Sequence, residues 1–140
     1  RTVFTTNNNN KIAPIICYEA MYGEYLNEYV RNGAQFLAII TNDGWWSNSP
    51  GHKQLLSYSK LRAIESRRDI ARTANTGISA VINKRGDILK TIDYNKSGVI
   101  NSSIHLSNEI TFYVKYGDYI YRIGLFFFLI VVLFYFTKKK

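Results

Sequence analysis

The sequence predicts an α/β fold followed by one C-terminal transmembrane helix. Two isoleucine-rich runs flank an amphipathic helical segment, and several short β-like runs follow a second helical segment. A charge-free apolar stretch lies close to the C-terminus. With 140 residues the chain is long enough for one modest domain. We predict an α/β domain over residues 1–115, and a membrane helix with a short basic tail over residues 116–140.

The first half is predicted to form a strand, a helix and a second strand. A short β-like fragment and a turn of four asparagines precede APIICY, residues 13–18, an apolar run expected to be a buried strand. The segment after Cys17 is an amphipathic helix that ends at Asn32-Gly33. Its apolar face is Met21, Tyr22, Tyr25, Leu26, Tyr29 and Val30, and its polar face is Glu24, Asn27, Glu28 and Arg31. QFLAIIT, residues 35–41, is the next strand, predicted to be parallel to the first.

The second half is predicted to be a helix from about residue 52 to 68 and then four β-like runs. The buried stripe of that helix is Leu55, Leu56, Ser59, Ala63 and Ser66. The β-like runs are DIARTAN, ISAVIN, DILKTI and SGVINSSIHL, which begin at residues 69, 78, 87 and 97. Residues 84–87, Lys-Arg-Gly-Asp, have the composition of a hairpin turn.

The C-terminal apolar stretch is predicted to span a membrane. Residues 119–137 would form a helix of about 28 Å, which matches the hydrocarbon core of a bilayer. A buried core helix is the alternative, and the absence of a polar face argues against it. The lysines at 138–140 place that end in the cytoplasm by the positive-inside rule, so residues 1–115 are expected on the opposite face.

Composition limits the other classes of function. The net charge is +8, which favours a solvated basic surface or anionic lipid head groups. The sequence contains no recognised nucleic-acid-binding module, so we predict no nucleic-acid partner. One cysteine cannot form an internal disulfide, and neither a metal-ligand cluster nor a glycine-rich phosphate loop is evident. We therefore predict no metal and no cofactor.

Cys17 has two interpretations from the residues alone. An isolated cysteine is usually a small buried hydrophobe. Cys17, however, follows a strand and precedes a helix, where a helix dipole would stabilise a thiolate and backbone N–H groups would bind an oxyanion. The proton acceptor is not evident: His52 and His105 are expected to be structural or surface residues, and Glu19 would serve equally well as a helix cap.

A resemblance extends this reasoning. The order and spacing of ICYE, TNDGWW, LRAIESRRDIARTANTGISAVINKRGDI and YGDY resemble the carbon-nitrogen hydrolase (nitrilase) superfamily, and within it its membrane-bound N-acyltransferases. The resemblance implies the C-terminal part of a nitrilase-like αββα sandwich and a Glu-Lys-Cys triad.

The resemblance also implies roles for individual residues. Cys17 matches the nucleophile, Tyr18 would donate its backbone N–H to the oxyanion, and Glu19 matches a further acidic residue of the active site. Asn42, Trp45 and Trp46 would line the substrate pocket. A scaffold role, with internal polar bonding, is implied for Arg62, Glu65, Arg68, Arg72, Asn75 and Gly77.

Two departures from the family pattern accompany the resemblance. The catalytic Glu and Lys of the family lie upstream of the cysteine, and no matching segment precedes Cys17. Together with Arg1 at the first position, this leads us to expect a C-terminal fragment that is inactive alone. Relatives also often carry a histidine where this chain has Leu55, which puts any role of His52 in doubt.

The implied reaction is acyl transfer through a thioester on Cys17. A membrane phospholipid would be the acyl donor, and the free α-amino group of a diacylglyceryl apolipoprotein would be the acceptor. The implied location is the outer, periplasmic face of a bacterial inner membrane. Two alternatives stay open: a membrane-anchored amidase of the same superfamily, and a non-catalytic tethered binding or structural domain.

Overall fold

The computed structural model describes residues 1–138, so the predicted tail residues Lys139 and Lys140 lie outside the described residues. Six strands form one sheet in chain order. They are β1 (Phe4–Thr5), β2 (Lys11–Ile16), β3 (Phe36–Thr41), β4 (Ile70–Ala74), β5 (Ser79–Ile82) and β6 (Ile88–Ile92). Strands β2, β3 and β4 are parallel, and the remaining pairs are antiparallel. The predicted parallel pair on either side of a helix is confirmed.

Within residues 1–138, four α-helices accompany the sheet: α1 (Gly23–Arg31), α2 (Gly51–Ser66), α3 (Phe112–Tyr116) and α4 (Tyr119–Lys138). Helices α1, α2 and α3 pack together as one layer on one face of the sheet. The core between them is built from alternate strand residues and the apolar stripes of the helices. Its members include Ala13, Ile15, Leu37 and Ile39 from the sheet and Leu26, Val30, Leu56 and Ala63 from the helices.

The opposite face of the sheet is open at β2 and β3. Ile16 and Ile40 alternate with the core residues of β2 and β3, and they are 62% and 59% exposed. Parallel strands are normally covered on both faces. At β2 and β3 the described residues therefore cover one face of the sheet with helices and leave the other face apolar and exposed.

Helix α1 departs from the predicted division into two faces. Asn27, predicted to face solvent, is buried and donates from Nδ2 to the carbonyl of Tyr113 at 3.3 Å. Tyr22, predicted to be buried, is the residue before the helix and is exposed. Asn27 is buried because α3 packs on the side of α1 that the sequence pattern assigns to water.

The last predicted strand is wrong. Residues 97–106 form no strand. We call residues 97–111, which lead to α3 without a helix or strand, the extended segment. The backbone N–H of His105 donates to Asp69 Oδ2 at 2.8 Å, and that of Ser107 donates to the carbonyl of Gln35 at 3.1 Å. The predicted hairpin is confirmed: β5 and β6 are joined by a turn in which Gly86 has a φ of +84°.

Helix α4 is the one helix among residues 1–138 that is long and apolar enough to cross a membrane. It has 20 residues and a mean hydropathy of 2.2, and none of it is buried against the rest of the chain. The predicted helix over residues 119–137 is confirmed. The predicted domain boundary between residues 115 and 116 falls inside α3.

Arg68 connects three parts of the domain. It is 1% exposed, and its Nε donates to the carbonyl of Ala34 at 2.7 Å. Its Nη1 donates to the carbonyl of Glu109 at 2.8 Å and to Ser107 Oγ at 3.3 Å. Burial lowers the pKa of the Arg68 guanidinium. These bonds join the end of α2, the start of β3 and the extended segment, so the predicted internal polar role of Arg68 is confirmed.

Replacement of Arg68 by methionine should lower the free energy of unfolding by about 3 kcal/mol, because several buried carbonyl groups lose their donor. Arg67→Met is the control, since Arg67 is the exposed neighbour in the chain. The measurement is urea unfolding in detergent micelles, followed by circular dichroism. Equal losses in the two variants would contradict this role of Arg68.

Candidate active site

Cys17 lies at the carboxyl end of β2, on a turn and not on an α-helix. A 3₁₀ turn occupies Cys17–Met21, and α1 begins only at Gly23. The expectation that an α-helix starts directly after the cysteine is therefore wrong. The backbone of Cys17 has a φ of +52°, in the left-handed region that non-glycine residues seldom adopt. The side chain is partly exposed.

Glu19 holds this turn in place. Its Oε2 accepts the backbone N–H of Ile16 at 2.8 Å, and its Oε1 accepts the phenol hydroxyl of Tyr25. The hydrogen bond to the Glu19 carboxylate raises the pKa of Tyr25 to about 12. Of the two predicted roles of Glu19, capping is therefore the one with visible contacts. The carboxylate ties the residue before Cys17 to the first turns of α1.

The neighbouring strand β3 brings a hydroxyl to the cysteine. Ile16 is paired with Ile40 in the parallel register, so the residues that follow them, Cys17 and Thr41, lie side by side. Thr41 Oγ1 is 3.5 Å from Cys17 Sγ and 2.8 Å from Asp43 Oδ1. The hydroxyl has one proton, so it can donate to only one of these groups at a time.

Asp43 continues the network into the interior. Its carboxylate is fully buried and pairs with the guanidinium of Arg72, Nη2 to Oδ2, at 2.8 Å. Arg72 also donates to the carbonyl of Ile78 at 2.5 Å. A Cβ on Gly77 would lie 2.1 Å from Asp43 Oδ2, so only glycine fits beside the carboxylate. The predicted internal bonding of Arg72 is confirmed.

Sequence reasoning missed Thr41 and Asp43. The available signal was an aspartate directly after a buried strand, in the same TNDGWW motif that supplied the predicted substrate residues. We assigned chemistry only to other members of that motif. A carboxylate in a loop is usually solvated, and its burial depends on Arg72, which lies on a different strand.

Residues 42–46, which we call the aromatic loop, follow β3 and lie at the same edge of the sheet as Cys17. Asn42 Oδ1 accepts the N–H of Gly44 at 3.1 Å and Asn75 Nδ2 at 3.3 Å, so this side chain braces the loop. The Trp46 ring packs against Gly51, where a Cβ would lie 2.5 Å from the ring. Trp45 projects outward and is 81% exposed.

The two histidines lie in other environments. His52 is buried in the first turn of α2 and stacks on Tyr94, with ring centroids 4.5 Å apart. Its Nδ1 has no hydrogen-bond partner among the described residues. His105 belongs to the extended segment and is held there through its backbone N–H.

Cys17 presents a thiol at the carboxyl edge of parallel strands, and helices cover only one face of these strands. Both features are those of half a nitrilase-type sandwich. The profile of the carbon-nitrogen hydrolase family matches residues 1–111. The chain belongs to this family.

Individual proteins agree with this assignment. Apolipoprotein N-acyltransferase of Chlorobaculum tepidum is 36% identical over 115 residues, which are 82% of this chain and 22% of that protein. The chain thus spans about a fifth of the length of the curated relatives it matches.

Solved structures share the fold. A carbon-nitrogen hydrolase from Helicobacter pylori superposes with a TM-score of 0.60 at 14% identity, over 68% of this chain and 40% of that one. An amidase variant from Nesterenkonia sp. AN1, with acrylamide added at its active-site cysteine, superposes with a TM-score of 0.53 at 19% identity. That match covers 67% of this chain and 39% of the amidase.

Replacement of Asp43 by asparagine should destabilise the domain by about 3–5 kcal/mol, because it leaves the Arg72 guanidinium buried without its counter-charge. Asp87→Asn is the matched control. Asp87 pairs with Arg85 at 2.8 Å, but both side chains are more than half exposed, so its loss should cost much less than the loss of the buried pair.

The measurement is the difference in unfolding free energy between each variant and the unchanged chain. If Asp43→Asn were no more destabilising than Asp87→Asn, the buried pair would not support the site.

Proposed function

We propose that this chain is the nucleophile-bearing part of an N-acyltransferase that acts on lipoproteins. The observation that carries the proposal is Cys17, held in a left-handed turn at the end of β2 with its side chain partly exposed. The acyltransferase name of the matched relatives supports this choice within the family. Helix α4 supports it as well, because both proposed substrates are lipids.

In the first half-reaction, the Cys17 thiolate attacks the carbonyl carbon of a phospholipid ester. The oxyanion of the tetrahedral intermediate accepts the backbone N–H of Tyr18, in the first turn of the 3₁₀ segment, where amides have no acceptor within the helix. Collapse of the intermediate breaks the ester C–O bond. The lysophospholipid leaves as an alcohol, and Cys17 carries the acyl group as a thioester.

In the second half-reaction, the free α-amino group of a diacylglyceryl-cysteine attacks the thioester. The amide forms, and the thiolate of Cys17 is released. The general base and a cation beside the oxyanion are proposed to be the Glu and Lys that the family resemblance places upstream of Cys17. The base takes the Cys17 thiol proton and gives it to the leaving alcohol oxygen, and in the second half-reaction it takes the proton of the attacking amine and returns it to the Cys17 sulfur. Glu19 supports the nucleophile turn, because its carboxylate is engaged by Ile16 and Tyr25.

We propose that the aromatic loop contacts the substrate mainly through Trp45. Trp46 packs on the start of α2 and Asn42 braces the loop, whereas the indole of Trp45 is free to contact an acyl chain. We further propose that α4 spans the inner membrane with its lysine end in the cytoplasm. The α/β domain that precedes α4 then lies on the periplasmic face, beside the outer-leaflet lipids.

In the complete gene product, Cys17→Ser should abolish covalent labelling by phospholipid with a radioactive acyl chain. A serine hydroxyl is not ionised at neutral pH and is a much weaker nucleophile than a thiolate. The label on the unchanged protein should be released by neutral hydroxylamine, as expected of a thioester. Tyr22→Phe is the control, because Tyr22 is exposed just beyond the turn.

Undiminished labelling of Cys17→Ser would overturn the proposed nucleophile. Hydrolysis of small amides without acyl transfer in lipid micelles would instead favour the amidase alternative, which uses the same cysteine.

A further inference from the structure

Helix α3 has one side in the core and the other side bare. Val114 is fully buried, and its carbonyl accepts Arg31 Nη1 at 2.7 Å. Phe112 and Tyr116 point away from the domain and are 61% and 45% exposed. The ring of Phe112 packs on that of Tyr116, with ring centroids 4.6 Å apart. It also packs edge-on against Tyr119, in the first turn of α4, with ring centroids 5.2 Å apart. We call Phe112, Tyr116 and Tyr119 the aromatic collar.

A second set of contacts joins the start of α4 to α1. Glu24 Oε1, on α1, accepts Arg122 Nη2 at 2.6 Å and the backbone N–H of Asp118 at 2.7 Å. Tyr113 donates its hydroxyl to Asp118 Oδ1 at 3.0 Å. Glu24 is in the first turn of α1, the helix that follows the Cys17 turn. The apolar helix is thus tied to the element next to the nucleophile.

Gly117 makes this connection possible. It has a φ of +64°, and a Cβ there would lie 2.0 Å from Glu24 Oε1. Any other residue would be strained at this φ and would displace the carboxylate. Gly124, inside α4, has no neighbouring heavy atom within 4 Å of an added Cβ, so the requirement is specific to the junction.

We propose that the aromatic collar is a membrane-contact surface that lies in the head-group region of the bilayer. The Glu24 contacts then hold the α/β domain, with Cys17, at a fixed height above the bilayer. The collar is continuous with the start of the proposed span, where amphipathic aromatic rings favour the membrane–water interface. Lys115 flanks it and complements lipid phosphates.

This inference rests on the membrane span proposed for α4, and it goes beyond the span in one respect. A helix joined to its domain by a free linker would allow the domain to tumble above the bilayer. A collar in the interface, joined to α1 through Glu24, gives Cys17 one distance from the lipid ester groups. The nucleophile then meets its donor without partitioning of the donor into water.

The test places an environment-sensitive NBD fluorophore at single cysteines in the Cys17→Ser background. The full chain is reconstituted into vesicles of phosphatidylcholine and phosphatidylglycerol. Phe112→Cys reports on the collar, Leu129→Cys on the middle of α4, and Val99→Cys on a site that is 94% exposed in the extended segment. Quenchers are lipids brominated near the head group, lipids brominated deep in the acyl chain, and aqueous acrylamide.

We expect shallow bromolipid to quench the Phe112→Cys label, deep bromolipid to quench the Leu129→Cys label, and acrylamide alone to quench the Val99→Cys label. The collar proposal fails if the Phe112→Cys label is as open to acrylamide as the Val99→Cys label while the Leu129→Cys label is quenched. It fails equally if the Phe112→Cys label is shielded from both quenchers, because protein then covers the collar. No quenching of the Leu129→Cys label by lipid would overturn the span itself.

The role of the junction is tested by Gly117→Ala in the Phe112→Cys background, with Gly124→Ala as the matched control. Gly117→Ala should reduce shallow quenching by about twofold, a change within the range that loss of an exposed ion pair produces. Gly124→Ala should leave it unchanged. Equal quenching in both variants would show that the Glu24 contacts do not set the height of the domain.

Discussion

Cys17 ends β2 with its backbone in the left-handed region, a conformation that costs a residue with a Cβ about 1–2 kcal/mol. The turn persists because Glu19 accepts the N–H of Ile16 on one side and the hydroxyl of Tyr25 on the other. Without this left-handed turn the chain would continue along the strand direction, and the sulfur would lose its position at the sheet edge. The proposed chemistry therefore depends on a strained backbone and the carboxylate that stabilises it.

The second strand stabilises the same point from the side. Parallel pairing of β2 with β3 sets Thr41 beside Cys17, and Thr41 in turn contacts the buried pair of Asp43 and Arg72. Two charges without water are tolerated because each is paired and hydrogen-bonded. The hydroxyl beside the sulfur is thus held by a buried, hydrogen-bonded network, which suits the proposed nucleophile because it would keep one geometry through both proposed half-reactions.

Hydrophobic patterning predicts the strand, helix and strand around Cys17, because these follow from local periodicity. It does not predict the burial of Asp43, since that depends on Arg72, which is distant in sequence. Residues 97–106 are predicted as a strand, yet the backbone N–H of His105 donates to the side chain of Asp69 instead of a neighbouring strand. Asn27 is polar by pattern and buried by α3.

The central claim is that the fold holds Cys17 in a strained backbone in order to present its sulfur. Its most direct test compares the unfolding free energies of Cys17→Gly and Cys17→Ala. Glycine adopts the left-handed conformation without steric cost, so we expect Cys17→Gly to be more stable than Cys17→Ala by about 1 kcal/mol. If Cys17→Gly were instead less stable than Cys17→Ala, as glycine is at ordinary strand and helix positions, Cys17 would not occupy a strained turn.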